Sequence, residues 1–106
     1  MANASLDCER VDRAAGRTLI VRGEIDVASV AAFRRQLSEL LAEARSPGYV
    51  DLAGVTFMDS SAIAALIDAD IGAAPDKSIV LVDPSPICDL VFEALGLQAR
   101  FDIVRS

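Results

Sequence analysis

The chain has 106 residues, of which 53% are hydrophobic and 25% charged, which suits one globular domain with one core and excludes a disordered polymer. A formal net charge of -6 argues against nucleic acid and anionic membrane as partners, and the lack of histidine removes the commonest general base. Cys8 and Cys88 form no C-x-x-C pair, and no run approaches the ~20 apolar residues that span a bilayer, so a reducing, cytoplasmic setting is expected.

In chain order, Leu6-Asp7-Cys8-Glu9 alternates apolar and polar residues and reads as a short edge strand. The small and polar run Arg13 to Arg17 reads as a hairpin turn, and the β-branched Thr18-Leu19-Ile20-Val21 as a strand. Gly23-Glu24-Ile25-Asp26 then breaks the run and leaves a carboxylate at its end. From about Ala28 the period becomes helical, with Val30, Phe33, Leu37, Leu40 and Leu41 on one stripe. Arg34 and Arg35 on this helix are within reach of Glu39 and Glu43. Ser46-Pro47-Gly48 is a helix stop, Tyr49 to Leu52 a strand, and Ala53-Gly54 a turn or break.

The apolar stretch Val55 to Met58 leads into Asp59-Ser60-Ser61, after which Ile63, Leu66, Ile67 and Ile71 show helical spacing. Asp68, Asp70 and Asp76 read as a solvated rim, and Gly72 with Pro75-Asp76-Lys77 ends the helix. Ser78 to Val82 is a strand whose nearly continuous apolar character predicts burial on both faces. Asp83-Pro84-Ser85-Pro86 starts a third helix, with Ser85 as cap and Ile87, Leu90, Val91 and Leu95 as its apolar stripe. Gly96 closes that helix, and Phe101, Ile103 and Val104 form a last short strand. The order predicts a single α/β domain over 1–106: a mixed sheet with an N-terminal antiparallel hairpin, then helices alternating with parallel strands through right-handed crossovers.

The segment from Val50 to Ile63 places a carboxylate and two hydroxyls where a strand ends and a helix begins. In a parallel sheet that end forms the crevice where ligands and partners act, and the first helical turn offers free N–H groups. On local pattern alone, Asp59 or Ser60 serves equally well as a simple N-cap.

The same stretch resembles the signature of the STAS family, and more narrowly of bacterial anti-sigma-factor antagonists. Those domains place Asp-Ser-Ser or Asp-Ser-Thr at the start of the second helix. Gly23-Glu24-Ile25-Asp26 is similar to the family's Gly-Glu-(Leu/Ile)-Asp, and Val82-Asp83-Pro84-Ser85-Pro86 with Gly96-Leu97 is similar to its third-helix region. The resemblance implies Ser60 as phosphate acceptor, with Asp26, Asp59, Ser60, Ser61 and Ala62 at the partner surface. Ala62 departs from the glycine common there, and its methyl group would narrow a kinase's approach. The implied partner is an anti-sigma factor with serine-kinase activity, released when Ser60 is phosphorylated, and a serine phosphatase would restore the unmodified form. No cofactor is implied, because the ATP belongs to the kinase.

Two other readings stand beside this one. The first is a STAS scaffold in which Ser60 only caps a helix. The second is a small carboxylate enzyme using Glu24, Asp26, Asp51 and Asp59, which requires a pocket joining at least two of them. There is no G-x-x-x-x-G-K-[ST] and no G-x-G-x-x-G to hold a nucleotide.

Overall fold

The computed structural model describes residues 6–44, 47–72 and 78–106. The elements are β1 (Leu6–Asp12), β2 (Arg17–Ile25), α1 (Val30–Glu43), β3 (Gly48–Met58), α2 (Ser60–Gly72), β4 (Ile79–Val82), α3 (Pro86–Ala94) and β5 (Asp102–Val104). One sheet holds all five strands in the order β1-β2-β3-β4-β5. β1 is antiparallel to β2, and each later pair is parallel. The expected hairpin followed by helix–strand alternation is therefore what the chain forms.

This strand order decides where the helices go. Every crossover steps in the same direction, so right-handed connections put all three helices on one face of the sheet. Leu19, Val21, Val50, Leu52, Ile79 and Leu81 point to that face and are buried against Phe33, Leu37, Leu40, Leu66 and Phe92. At its edge, Arg10 of β1 reaches Glu39 at 2.7 Å and Glu43 at 3.0 Å on α1. Arg17 joins Glu43 at 3.1 Å.

The opposite face carries no helix among the described residues. Val80 and Val82 are only half-buried there, so the expectation of a strand buried on both faces does not hold. The β1–β2 turn supplies partial cover. Arg13 reaches across to Asp51 at 2.7 Å, and a Cβ at Gly16 would lie 3.0 Å from the Tyr49 ring. These contacts leave Asp51 and Thr18 buried on a face that is otherwise open.

Several local expectations change once long-range pairing is seen. Gly23 does not end β2. It adopts φ +98, a value that favours glycine, and stays in the ladder opposite Val55, so that Ile25 is still buried. Ala53-Gly54 is not a turn but a register shift inside an eleven-residue β3, and a second shift follows before Phe57. Gly48 is the first residue of β3 rather than a helix exit, and a Cβ there would come within 3.2 Å of Leu40. The companion stop residue Ser46 lies outside the described residues, as does Asp76 of the expected rim.

The helices also depart from their expected stripes. In α3 the buried side chains are Cys88 and Phe92, with Phe92 packed 5.9 Å from the Phe101 ring, while Leu90 and Leu95 face solvent. Ile71 is exposed at the end of α2. Asp70 is not a free rim residue: it holds Arg100 at 2.8 Å and accepts the Ile79 N–H at 3.3 Å. Arg34 pairs with Asp68 at 2.9 Å rather than with the glutamates of its own helix. Ser85 occupies the N-cap of α3, but its hydroxyl donates to Cys88 Sγ at 3.3 Å instead of accepting a backbone N–H. Gly96 does close α3 as expected: at φ +68 it donates to Glu93 C=O, and Leu97 N–H reaches Phe92 C=O at 2.8 Å.

Two outcomes follow from this packing. Phe33→Ala, at a fully buried position, should lower unfolding free energy by about 3–5 kcal/mol in a denaturant titration. Cys8 and Cys88 are free thiols, and burial, reinforced by Asp7, pushes Cys8 up to about 11. A raised pKa keeps the thiol neutral and short of reactive thiolate. Alkylation of Cys8 at pH 8 should therefore be much slower in the folded chain than in urea, and should keep rising about tenfold per pH unit until pH nears 11.

Candidate functional site

Strands β2 and β3 end together. Ile25 pairs with Met58, and the Asp59 N–H extends the ladder by one bond, to the Ile25 carbonyl at 3.3 Å. Asp26 and Asp59, the next residue on each strand, are thereby set side by side at about one strand spacing, roughly 5 Å. Asp26 closes the turn that leads into α1, whose N-cap is Ser29, and Asp59 starts α2.

Asp26 Oδ1 accepts the N–H groups of Ala28 at 3.0 Å and Ser29 at 3.1 Å, and its carbonyl accepts Val30 N–H at 2.8 Å. Ser29 locks the loop from the other side: its hydroxyl donates to Glu24 C=O at 2.9 Å and accepts Asp26 N–H at 3.0 Å. Asp59 Oδ1 accepts Ser61 N–H at 2.9 Å and also the Ser61 hydroxyl. The Asp59 carbonyl accepts Ala62 N–H at 3.1 Å, which makes Asp59, not Ser60, the N-cap of α2.

The tandem serines are thus divided by geometry. Ser61 is half-buried and tied to Asp59, whereas Ser60 is exposed in the first turn of α2. Among the described residues the Ser60 hydroxyl has no hydrogen-bond partner. Ala62 is fully buried in the core, so the expectation that it lies at the partner surface, narrowing an approach, does not fit its position. A glycine or an alanine there is a matter of packing.

Sequence reasoning missed one neighbour. Val27, directly after Asp26, is 79% exposed, more than any other large apolar side chain among the described residues. The signal available was its place between the strand-ending Asp26 and the first helical stripe residue, where an apolar side chain has no core to enter. Phe57, also at this end, is partly exposed on the helix-free face opposite Glu24.

Of the carboxylates of the enzyme reading, Asp26 and Asp59 come together at the strand ends, but Asp51 does not join them. Asp51 lies eight residues before Asp59 on the same chain run, roughly 25 Å away if extended, and is held by Arg13. A cleft of about 660 Å³ opens at the other end of β2, between the hairpin turn and the end of α1, and Arg13, Arg17, Glu43 and Pro47 line it. None of Glu24, Asp26, Asp51 or Asp59 lines that cleft. Among the described residues no group of three or more His, Cys, Asp or Glu side chains is placed to hold a metal ion.

A sequence model described as "Mlab, STAS domain" matches residues 9–105. The chain belongs to the STAS domain family. It shares its fold with solved anti-sigma-factor antagonists. The antagonist from Mycobacterium paratuberculosis is 20% identical, with a TM-score of 0.85 over 96% of this chain and 87% of that one. SpoIIAA in its unphosphorylated form is 23% identical, with a TM-score of 0.66 over 96% of this chain and 88% of that one. Bacillus SpoIIAA in its phosphorylated form is 24% identical, with a TM-score of 0.62 over 96% and 91%. No curated protein sequence matches the chain. No helix among the described residues is long and apolar enough to cross a membrane.

The division of labour at this STAS site has a stability signature. Asp59→Ala should cost about 0.5–2 kcal/mol in thermal or chemical unfolding, because it removes the α2 cap. Ser60→Ala should stay within about 0.5 kcal/mol of the parent, as expected of an exposed side chain with no partner.

Proposed function

We propose that this STAS domain is an anti-sigma-factor antagonist. Unmodified, it binds an anti-sigma factor with serine-kinase activity; phosphorylation of Ser60 by that partner releases it, and a serine phosphatase resets it. The observation that carries this reading is the exposed, unpartnered Ser60 hydroxyl directly after the capping Asp59. Solved relatives support it: SpoIIAA shares the fold, and its structures are of an unphosphorylated and a phosphorylated form.

The physical account is one of addition at a surface. A phosphoserine brings about -1.5 to -2 charges at neutral pH, and a helix N-terminus tolerates them through its dipole and free N–H groups. The fold need not move. A partner docked on Asp26, Asp59, Ser60 and Ser61 would instead meet a hydrated dianion beside two carboxylates. Losing about 2.7 kcal/mol at such a contact weakens affinity about a hundredfold.

A second reading has its own support. The matching family model is described as a STAS domain and its description names no phosphorylation, so a scaffold that docks its partner with no phosphate involved fits it as well. Phosphate mapping separates the two. After incubation with ATP and each anti-sigma serine kinase of the source organism, mass spectrometry should place one phosphate on Ser60 and none on Ser61. Ser60→Ala should abolish labelling. No transfer by any of these kinases, or transfer to Ser61 instead, would contradict the switch.

A further inference from the structure

We propose that Val27 is the apolar anchor through which the partner holds the unmodified chain, and that a Ser60 phosphate acts by keeping this side chain wet. The proposal rests on the switch reading above and names the contact that the switch controls.

Val27 is a valine at 79% exposure in a loop tied down on either side of it by hydrogen bonds of Asp26, Ala28 and Ser29. The Ala28 N–H, the Ser29 N–H and the Ser29 hydroxyl are all engaged with Asp26 or Glu24, so the loop holds one shape. A rigid loop presenting an apolar side chain loses little entropy on docking. Its fold has no use for that side chain, because α1 draws its buried stripe from Phe33, Leu37 and Leu40.

Its position links it to the serine. Asp26 and Asp59 directly follow the last ladder pair, Ile25–Met58, so Val27 and Ser60, one residue further along each, lie at most about 13 Å apart. A pocket that desolvates Val27 therefore borders Ser60. A phosphate there retains its own water and holds the pocket open, and the anchor stays hydrated.

The surroundings describe the partner. Glu24, Asp26 and Asp59 bring three carboxylates to this end of a chain whose net charge is -6. The complementary surface is an apolar pocket rimmed by lysine or arginine, on a protein that also presents a kinase active site. Ile71 provides an internal control: at 70% exposure it is nearly as bare as Val27, but it lies at the far end of α2.

The test uses the full chain and the anti-sigma serine kinase of the source organism that transfers phosphate to Ser60. Val27→Ser should raise Kd about tenfold or more, the loss expected for one buried valine, with an unchanged unfolding midpoint. Ile71→Ser should leave Kd within twofold. Combining Val27→Ser with phosphorylated Ser60 should weaken binding by less than the product of the separate effects, since both act on one contact. Transfer to Ser60 with a Kd for Val27→Ser within twofold of the parent, or fully multiplicative effects, would overturn the anchor and leave the switch standing. Absence of both complex and transfer with the unaltered chain would overturn the switch and the anchor with it.

Discussion

Everything at the functional end depends on β2 and β3 finishing in register. The Ile25–Met58 pair and the Asp59 N–H on the Ile25 carbonyl fix two backbone positions, and Asp26 and Asp59 occupy the next ones. Each carboxylate is then consumed by local backbone, Asp26 by the N–H groups of Ala28 and Ser29 in the turn before α1 and Asp59 by that of Ser61 at the start of α2. What remains unconsumed faces outward: the Ser60 hydroxyl and the apolar side chains of Val27 and Phe57. A cap that satisfies the helix also frees its neighbour, so the structural and functional readings of Asp59-Ser60 are complementary. The aspartate is the cap and the serine is available.

The same economy explains how a small domain can be switched without being rebuilt. Phe33, Leu37, Leu40, Leu66 and Phe92 hold the helices to one face of the sheet through contacts that do not include Ser60. A charge added in the first turn of α2 meets the positive end of a helix dipole and solvent, both of which accept it. It does not meet the core. Signal and stability are therefore carried by different side chains, and the covered face of the sheet can stay constant while the exposed end changes its charge.

Much of this was legible in the sequence because it is local. The hairpin, the three helix–strand alternations, the Gly96 stop and the position of Asp59-Ser60-Ser61 at a strand-to-helix junction follow from periodicity and caps. What was hidden is non-local. Ala53-Gly54 resembles a turn until β2 is laid beside it and absorbs the extra residue as a register shift. Gly23 resembles a break until Val55 is opposite. The monotonic strand order, which leaves Val80 and Val82 without a helix above them, cannot be read from the apolar run Ile79 to Val82 itself. In α3, Leu90 and Cys88 compete for one stripe, and only the placement of Phe101 selects Cys88 and Phe92. Ala62 and Val27 show the same lesson at the site: a motif gives positions in a line, whereas burial depends on which way the helix turns.

The most direct measurement is a calorimetric titration of the cognate kinase with two chemically defined forms of the chain, unmodified and carrying one phosphate on Ser60, alongside their amide NMR spectra. The account predicts binding about a hundredfold weaker for the phosphorylated form, with shift changes confined to the loop around Asp26 and the start of α2. Equal affinity for the two forms, or a phosphate that disturbs resonances throughout the core, would contradict it.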